Sequence, residues 1–281
     1  MTDFLRPPRA VRISLQPALV LGTATILGLA MFCWPLLAHP APSEAAHTAD
    51  APFVFMATLP VLILVVLAEL SRGGIDAKAL ALLGVLSAVN AGLRPLGAGT
   101  GGIELVFFLL VLAGRVFGPG FGFVLGSTSL FTSALLTAGV GPWLPFQMLA
   151  SSLIGLGAGL LPRKPRGKAE IALLVAYGVF AAYFFGLLMS LWSWPFLAGT
   201  GVGATAGLGF VPGAPLLDNL QRFAVFTVLT STLGWDTGRA ITNAVAIVLL
   251  GPAVLAVLRR AARRAAFDAP VSFDQPETRQ P

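Results

Sequence analysis

The chain has one cysteine, two histidines and few charges of either sign, and each shortage closes off a class of function. A lone thiol, Cys33, can build neither a disulfide framework nor a cysteine-ligated metal cluster. His39 and His47 share one polar loop, which is weak ground for a metal site. Charged residues make up 11% of the chain, against about a quarter in soluble domains. No HExxH, Walker A or paired-carboxylate pattern occurs, so the chain carries no ATP engine of its own and no recognisable hydrolytic centre. Glu69 is the one acidic residue within the deeper part of a span, close to its inner end, so a proton relay finds no support.

Apolar sequence fills the gap. Hydrophobic residues make up 56%, mean hydropathy is +0.86, and several runs approach the roughly 20 residues that cross a bilayer. The fold class expected is an all-α integral membrane protein. The runs do not alternate, which excludes a β-barrel. The net charge of +6 sits at segment ends, where topology explains it and nucleic acid need not be invoked.

Eight spans follow from the order of the chain. Arg6, Arg9 and Arg12 precede an apolar run over residues 17–38, longer than the core of a signal peptide and so read as an uncleaved first helix. Residues 39–52 lack Lys and Arg and belong outside; span two, residues 53–70, returns to Arg72 and Lys78 inside. Spans three to seven cover about residues 79–93, 103–117, 121–138, 143–161 and 169–191, with Arg163, Lys164, Arg166 and Lys168 inside. A Gly/Pro-rich outer segment, residues 192–218, follows, with Trp192 and Trp194 at the interface. Residues 240–258 end in Arg259, Arg260, Arg263 and Arg264. To keep those arginines inside, residues 223–233 must be a re-entrant or external cap, too short to span. Both termini are then cytoplasmic. The division expected is an N-terminal two-helix hairpin (1–76), a six-helix domain (77–264) and a disordered tail (265–281).

The packed centre is residues 114–161. Gly118, Gly122 and Gly126 lie four apart on one helix face, and Gly155 with Gly159 repeats the device. In lipid, helices associate by close approach through small residues. Gly118-Pro119 and Gly141-Pro142 divide the run into separate helices.

Polar residues inside such a frame default to functional hypotheses. Asn90, Arg94, Glu104, Gln147, Asp236, Arg239 and Asn243 fall near the outer ends of their spans. Asp218, Asn219 and Arg222 lie in the adjoining outer segment, and Trp143, Trp192 and Trp235 at the same level. Aromatic faces with a few amides and charges suit a planar or amphipathic small molecule. The competing reading makes the tryptophans an interface belt and Asp236 with Arg239 a helix-start pair. The glycine-rich connection 94–104 contains a GxGxxG match, but no strand precedes it, which rules out a dinucleotide fold; it is either an external turn or a mobile lid.

From about residue 77 to 264 the chain resembles the substrate-binding S component of energy-coupling factor (ECF) vitamin transporters. The carrying stretches are GRVFGPGFGFVLG (114–126), GPWLPFQM (141–148), GLGAG (155–159), TSTLGWD (230–236) and GRAITN (238–243). The resemblance implies a six-helix, multi-pass subunit of the bacterial cytoplasmic membrane, without enzymatic activity or cofactor. It implies a vitamin-like ligand enclosed by the 94–104 loop and the outer helix ends. It also implies a transmembrane coupling subunit and two ATPase subunits as partners. Members dock on the coupling subunit through small residues on the first core helix; here Ala77, Ala81, Gly84 and Ala88 make that stripe, with packing inside the monomer as the alternative. Nickel and cobalt members carry a histidine near the N-terminus, which Met1-Thr2-Asp3 lacks. A cobalamin-type corrinoid is the ligand suggested by the large outer segment, and riboflavin, thiamine or biotin fit nearly as well. The rival functions are a secondary transporter working without ATPases, a lipid-directed membrane enzyme, and a membrane scaffold or assembly protein.

Overall fold

The computed structural model describes residues 15–33, 36, 60, 61, 63, 64, 67, 68, 77–97, 101–197 and 207–265, and their regular structure is entirely helical. The elements are α1 (Leu15–Phe32), α2 (Ala77–Leu93), α3 (Val106–Phe117), α4 (Pro119–Leu136), α5 (Leu144–Leu160), α6 (Lys168–Leu197), α7 (Leu216–Thr227) and α8 (Thr237–Ala265). A π-helical stretch, Val228–Asp236, joins α7 to α8. The histidine loop, Glu69, the N-terminal arginines, most of span two and the tail beyond Ala265 lie outside the described residues.

Glycine decides how the centre packs. α4 and α5 form the most extensive helix pair, and their two glycine ladders meet face to face. A Cβ built on Gly122 would run into the Gly155 carbonyl, and one on Gly155 into the Gly122 carbonyl. Gly126 lies on the Ser151 backbone and Gly159 on Pro119, so the two helices touch along their backbones, as small-residue packing in lipid allows. At the α3–α4 corner Gly118 takes φ 98°, open to glycine and strained for other residues, and Pro119 starts α4 without needing a donor.

Around this pair the other helices sort by what they bury. Every residue of α3 from Val106 to Gly114 is buried. It is the middle of the bundle, touching α4, α5, α6 and α8. α1 joins the same core through Leu21, Ala24 and Phe32, whose ring meets Phe146 edge-on at 5.2 Å. The outward faces are apolar as well: Leu80, Val85 and Val89 on α2, and Ile241, Val245, Val248 and Leu249 on α8, are all exposed. In water such continuous apolar surface would drive association, and in hydrocarbon it is the ordinary face of a span.

Four helical runs are long and apolar enough to cross a membrane: Leu15–Phe32, Pro119–Leu136, Lys168–Pro195 and Leu216–Ala265. α2, α3 and α5 have 17, 12 and 17 residues, short of the roughly 20 that cover the hydrocarbon core. Two expectations need correction. Residues 223–233 do not fold back: helix runs unbroken from Leu216 to Ala265, 50 residues, or about 75 Å. No proline interrupts residues 216–251, and the lone glycine among 216–237, Gly234, is absorbed in the π-helical stretch. Nor do Trp192 and Trp194 flank a loop, because α6 continues through Leu197. Trp194 is fully buried and, with Leu191, Phe223 and Phe226, forms a small second core between α6 and α7.

Candidate functional site

Call the two ends of the bundle the tryptophan end, where α2 and α6 finish and α3, α5 and α8 begin, and the arginine end opposite. At the tryptophan end the structure brings three of the expected site residues into one ionic cluster. Arg239, in the first turn of α8, places Nε 2.6 Å from Glu104 Oε2 and Nη1 2.8 Å from Asp236 Oδ1. Its guanidinium lies over the Phe185 ring at 5.0 Å and over Phe107 at 5.7 Å. Asp236 is 1% exposed and also accepts from Ser231 Oγ at 2.9 Å. Gly186 makes this possible, since a Cβ there would overlap the Asp236 carboxylate. Two carboxylates against one guanidinium leave one negative charge in excess.

The π-helical register places Asp236 there. Ser231 Oγ reaches Asp236 five residues on, and Thr237 Oγ1 donates to the Thr232 carbonyl five residues back at 2.6 Å. π-turns are rare and concentrate at functional sites. One turn further, Asn243 Nδ2 donates to the Arg239 carbonyl at 2.8 Å. Asn243 is fully buried and its Oδ1 has no hydrogen-bond partner, an acceptor open to a further donor.

The glycine-rich connection is pinned to the same place. Gly102 (φ 88°) carries its backbone against the Trp235 carbonyl, and Gly238 lies against the Gly101 carbonyl. Glu104 adds the ion pair. Residues 101–104 are therefore fixed to the start of α8, while residues 98–100 lie outside the described residues.

The remaining site residues fall into separate groups. Arg94 donates to Gln147 Oε1 at 2.9 Å, tying the end of α2 to the start of α5. Asn90, fully buried, donates to Ser129 Oγ at 3.0 Å, and its Oδ1 has no hydrogen-bond partner. Ser87 and Thr128 share a 2.7 Å bond along the same α2–α4 seam. Asn219 uses both ends of its amide on the Val211 backbone, at 2.9 and 3.1 Å. Arg222 donates to the Gly207 carbonyl, and Trp194 Nε1 to the Leu208 carbonyl at 2.8 Å. Asn219 and Arg222 thus hold the 207–211 segment onto α7. Trp192 packs on Phe146 at 5.2 Å. Trp143 and Trp235 are exposed, as is Asp218 in the first turn of α7.

On α2 the small-residue stripe faces outward. Ala77, Ala81, Gly84 and Ala88 are all exposed, and a Cβ on Gly84 would meet nothing within 4 Å. Among the described residues, these four do not form a buried contact inside the bundle.

A second ionic cluster, at the arginine end, has no counterpart in the sequence reading. Glu170, 3% exposed, accepts from Arg115 Nε at 2.8 Å and, on both oxygens, from Arg259 Nη2 at 2.7 Å. Arg115 also donates to the Leu161 and Pro162 carbonyls, closing the end of α5. The signal available was a single glutamate closing a run of four cations, residues 163–170, at the start of an apolar span. Among the described residues no group of three His, Cys, Asp or Glu side chains could hold a metal ion. Compared with protein-family models, curated proteins and solved structures, the chain matches none.

Proposed function

We propose that this chain is a membrane-embedded binding subunit for uptake of a vitamin-like micronutrient, of the ECF S-component type. In this reading eight spans cross a bacterial cytoplasmic membrane with both termini inside. A separate coupling subunit and two ATPases supply the energy. The observation that carries the reading is the Glu104–Arg239–Asp236 cluster. It joins the glycine-rich connection to a π-helical turn at one end of the bundle, with the Asn243 side-chain oxygen unpartnered beneath it. Charges are expensive at such positions and mark substrate sites more often than packing. An arrangement in which a loop is latched to a helix start by ion pairs suits a site that must open and close. The excess negative charge favours a ligand offering a cation or several N–H donors against the Asp236 and Asn243 oxygens. A corrinoid, with peripheral amides around a broad apolar face, meets that description, and thiamine meets it through its charge. The outward stripe on α2 offers the smooth surface that sliding contact with a coupling subunit requires.

The test is thermal unfolding of the detergent-purified chain against a vitamin panel, with native mass spectrometry to catch a co-purified ligand. A ligand binding only the folded state adds about 2.7 kcal/mol at a hundredfold excess over its dissociation constant. The expected result is one stabilising vitamin, with the shift reduced in Asn243→Ala and unchanged in Asp218→Ala. Absence of any shift across the panel, together with uptake that persists in cells lacking the ATPases, would move the function to a secondary transporter.

A further inference from the structure

A groove of about 480 Å³ opens between α6 and α8 at the arginine end, remote from the cluster around Arg239. Its lining divides by chemistry. Ile171, Val248, Pro252 and Leu255 give an apolar wall, and Lys168 and Arg259 stand at one end. Val248 to Arg259 covers about three turns of α8, or 16 Å. The polar end and the far apolar wall are thus separated by roughly half the thickness of a hydrocarbon core.

The charge at the polar end is unbalanced. Glu170 is the one carboxylate on the groove, and it already receives Arg115 from the buried side. Arg115, Arg259 and Lys168 against Glu170 leave two positive charges in excess. Side-chain exposure differs in the useful sense: Arg115 is 6% exposed and Arg259 44%, so the excess is presented at the opening by Arg259 and Lys168. The amino end of α6, which begins at Lys168, adds partial positive charge to the same spot. Above it, Val248 is 53% exposed and continues into the apolar outer face of α8. The groove therefore opens toward hydrocarbon along its length and offers cations at its polar end.

We propose that this groove binds an anionic phospholipid, its phosphate against Lys168 and Arg259 and one acyl chain along Ile171, Val248 and Leu255. A soluble phosphate ester would satisfy the cations and leave the apolar wall bare. A zwitterionic lipid would fill the wall and leave the excess charge unanswered. The anionic lipid answers both, and basic pockets between helices near a membrane surface recognise headgroups in this way. The inference depends on the chain crossing a membrane and not on which ligand it transports.

The experiment compares phosphatidylglycerol with phosphatidylethanolamine of identical chains, at equal mole fraction, by native mass spectrometry and thermal unfolding of the full chain. Glycerol 3-phosphate serves as the headgroup alone. Wild type should retain phosphatidylglycerol in preference, and Lys168→Ala should cut that preference roughly fivefold, the worth of one cation near a lipid surface. Val248→Trp fills the apolar wall without touching a charge. It should abolish retention while leaving the lipid-free melting temperature unchanged. Equal retention of the two lipids, or no change in either variant, would overturn the proposal. So would glycerol 3-phosphate stabilising the chain as well as the lipid does, which would reassign the groove to a soluble anion.

Discussion

Replacing Arg239 by methionine is the sharpest single perturbation of the tryptophan end, because the structure fixes both its size and its sign. The substitution removes the cation between Asp236, 1% exposed, and Glu104, whose side chain is 20% exposed. Removing one partner of a buried pair costs about 3–5 kcal/mol, since the remaining charge is left uncompensated. The cation–π contacts to Phe185 and Phe107 add about 0.5–2 kcal/mol when desolvated. Methionine recovers part of that through sulfur–aromatic contact, about 0.3–1.5 kcal/mol. The net expectation is therefore a loss of about 3–5 kcal/mol. Most of it should come through Asp236, because Glu104 can still reach solvent.

Restoring neutrality tests the cause. The triple variant Glu104→Gln, Asp236→Asn, Arg239→Met carries no charge at the site, and neutral replacements of buried ion groups are often isoenergetic or better. It should return to within about 1 kcal/mol of wild type. Reversible unfolding in mixed micelles, run as a triple-mutant cycle over the three positions, measures both the single and the coupled terms. The electrostatic account fails if Arg239→Met is near neutral, or if the triple variant is as unstable as the single one. The first outcome would mean the cluster is solvated in the membrane, and the second that Arg239 acts through packing alone. A ligand shift that survives in the triple variant would separate this stabilising role from the proposed binding role.

Three further outcomes follow from geometry elsewhere. At the arginine end, Arg115→Gln should destabilise by about 3 kcal/mol or more, whereas Arg259→Gln should cost about 1 kcal/mol or less, because Arg259 is 44% exposed and Arg115 is 6% exposed; chemical unfolding of the two variants side by side decides it. Gly155→Leu drives a side chain into the Gly122 carbonyl and should abolish folding, while Gly84→Leu meets open space. The second should leave the melting temperature unchanged and, in the proposed function, weaken co-purification of a coupling subunit. Trp194→Phe deletes the bond to the Leu208 carbonyl and should cost about 1–2 kcal/mol, read as faster amide exchange confined to residues 207–211.

How far the sequence carried depends on the range of the interaction concerned. The ends of α4 and α5 were legible because Gly118-Pro119 and Gly141-Pro142 act on their own backbone, with no distant partner required. The glycine ladders were legible for the same reason: a four-residue spacing declares a flat face, and only its partner remained to be found. Arg239 and Glu104 stood out because charges are rare in this chain, yet their pairing joins positions 135 apart and no local pattern encodes it. Glu170 was hidden by its neighbours, since a basic run reads as topology and masks the one carboxylate that organises it. The largest departure, the unbroken helix from Leu216 to Ala265, has the same origin. Residues 219, 223 and 226 show a helical stripe, but whether that stripe faces back on the bundle or extends beyond it depends on Trp194, whose own helix continues past the point where hydropathy alone would end it. The residues that parity assigned to a re-entrant or external cap were thus already committed to α6 by their apolar face. A count of crossings built on charge at the chain's ends can be satisfied by a helix that overshoots as readily as by one that turns.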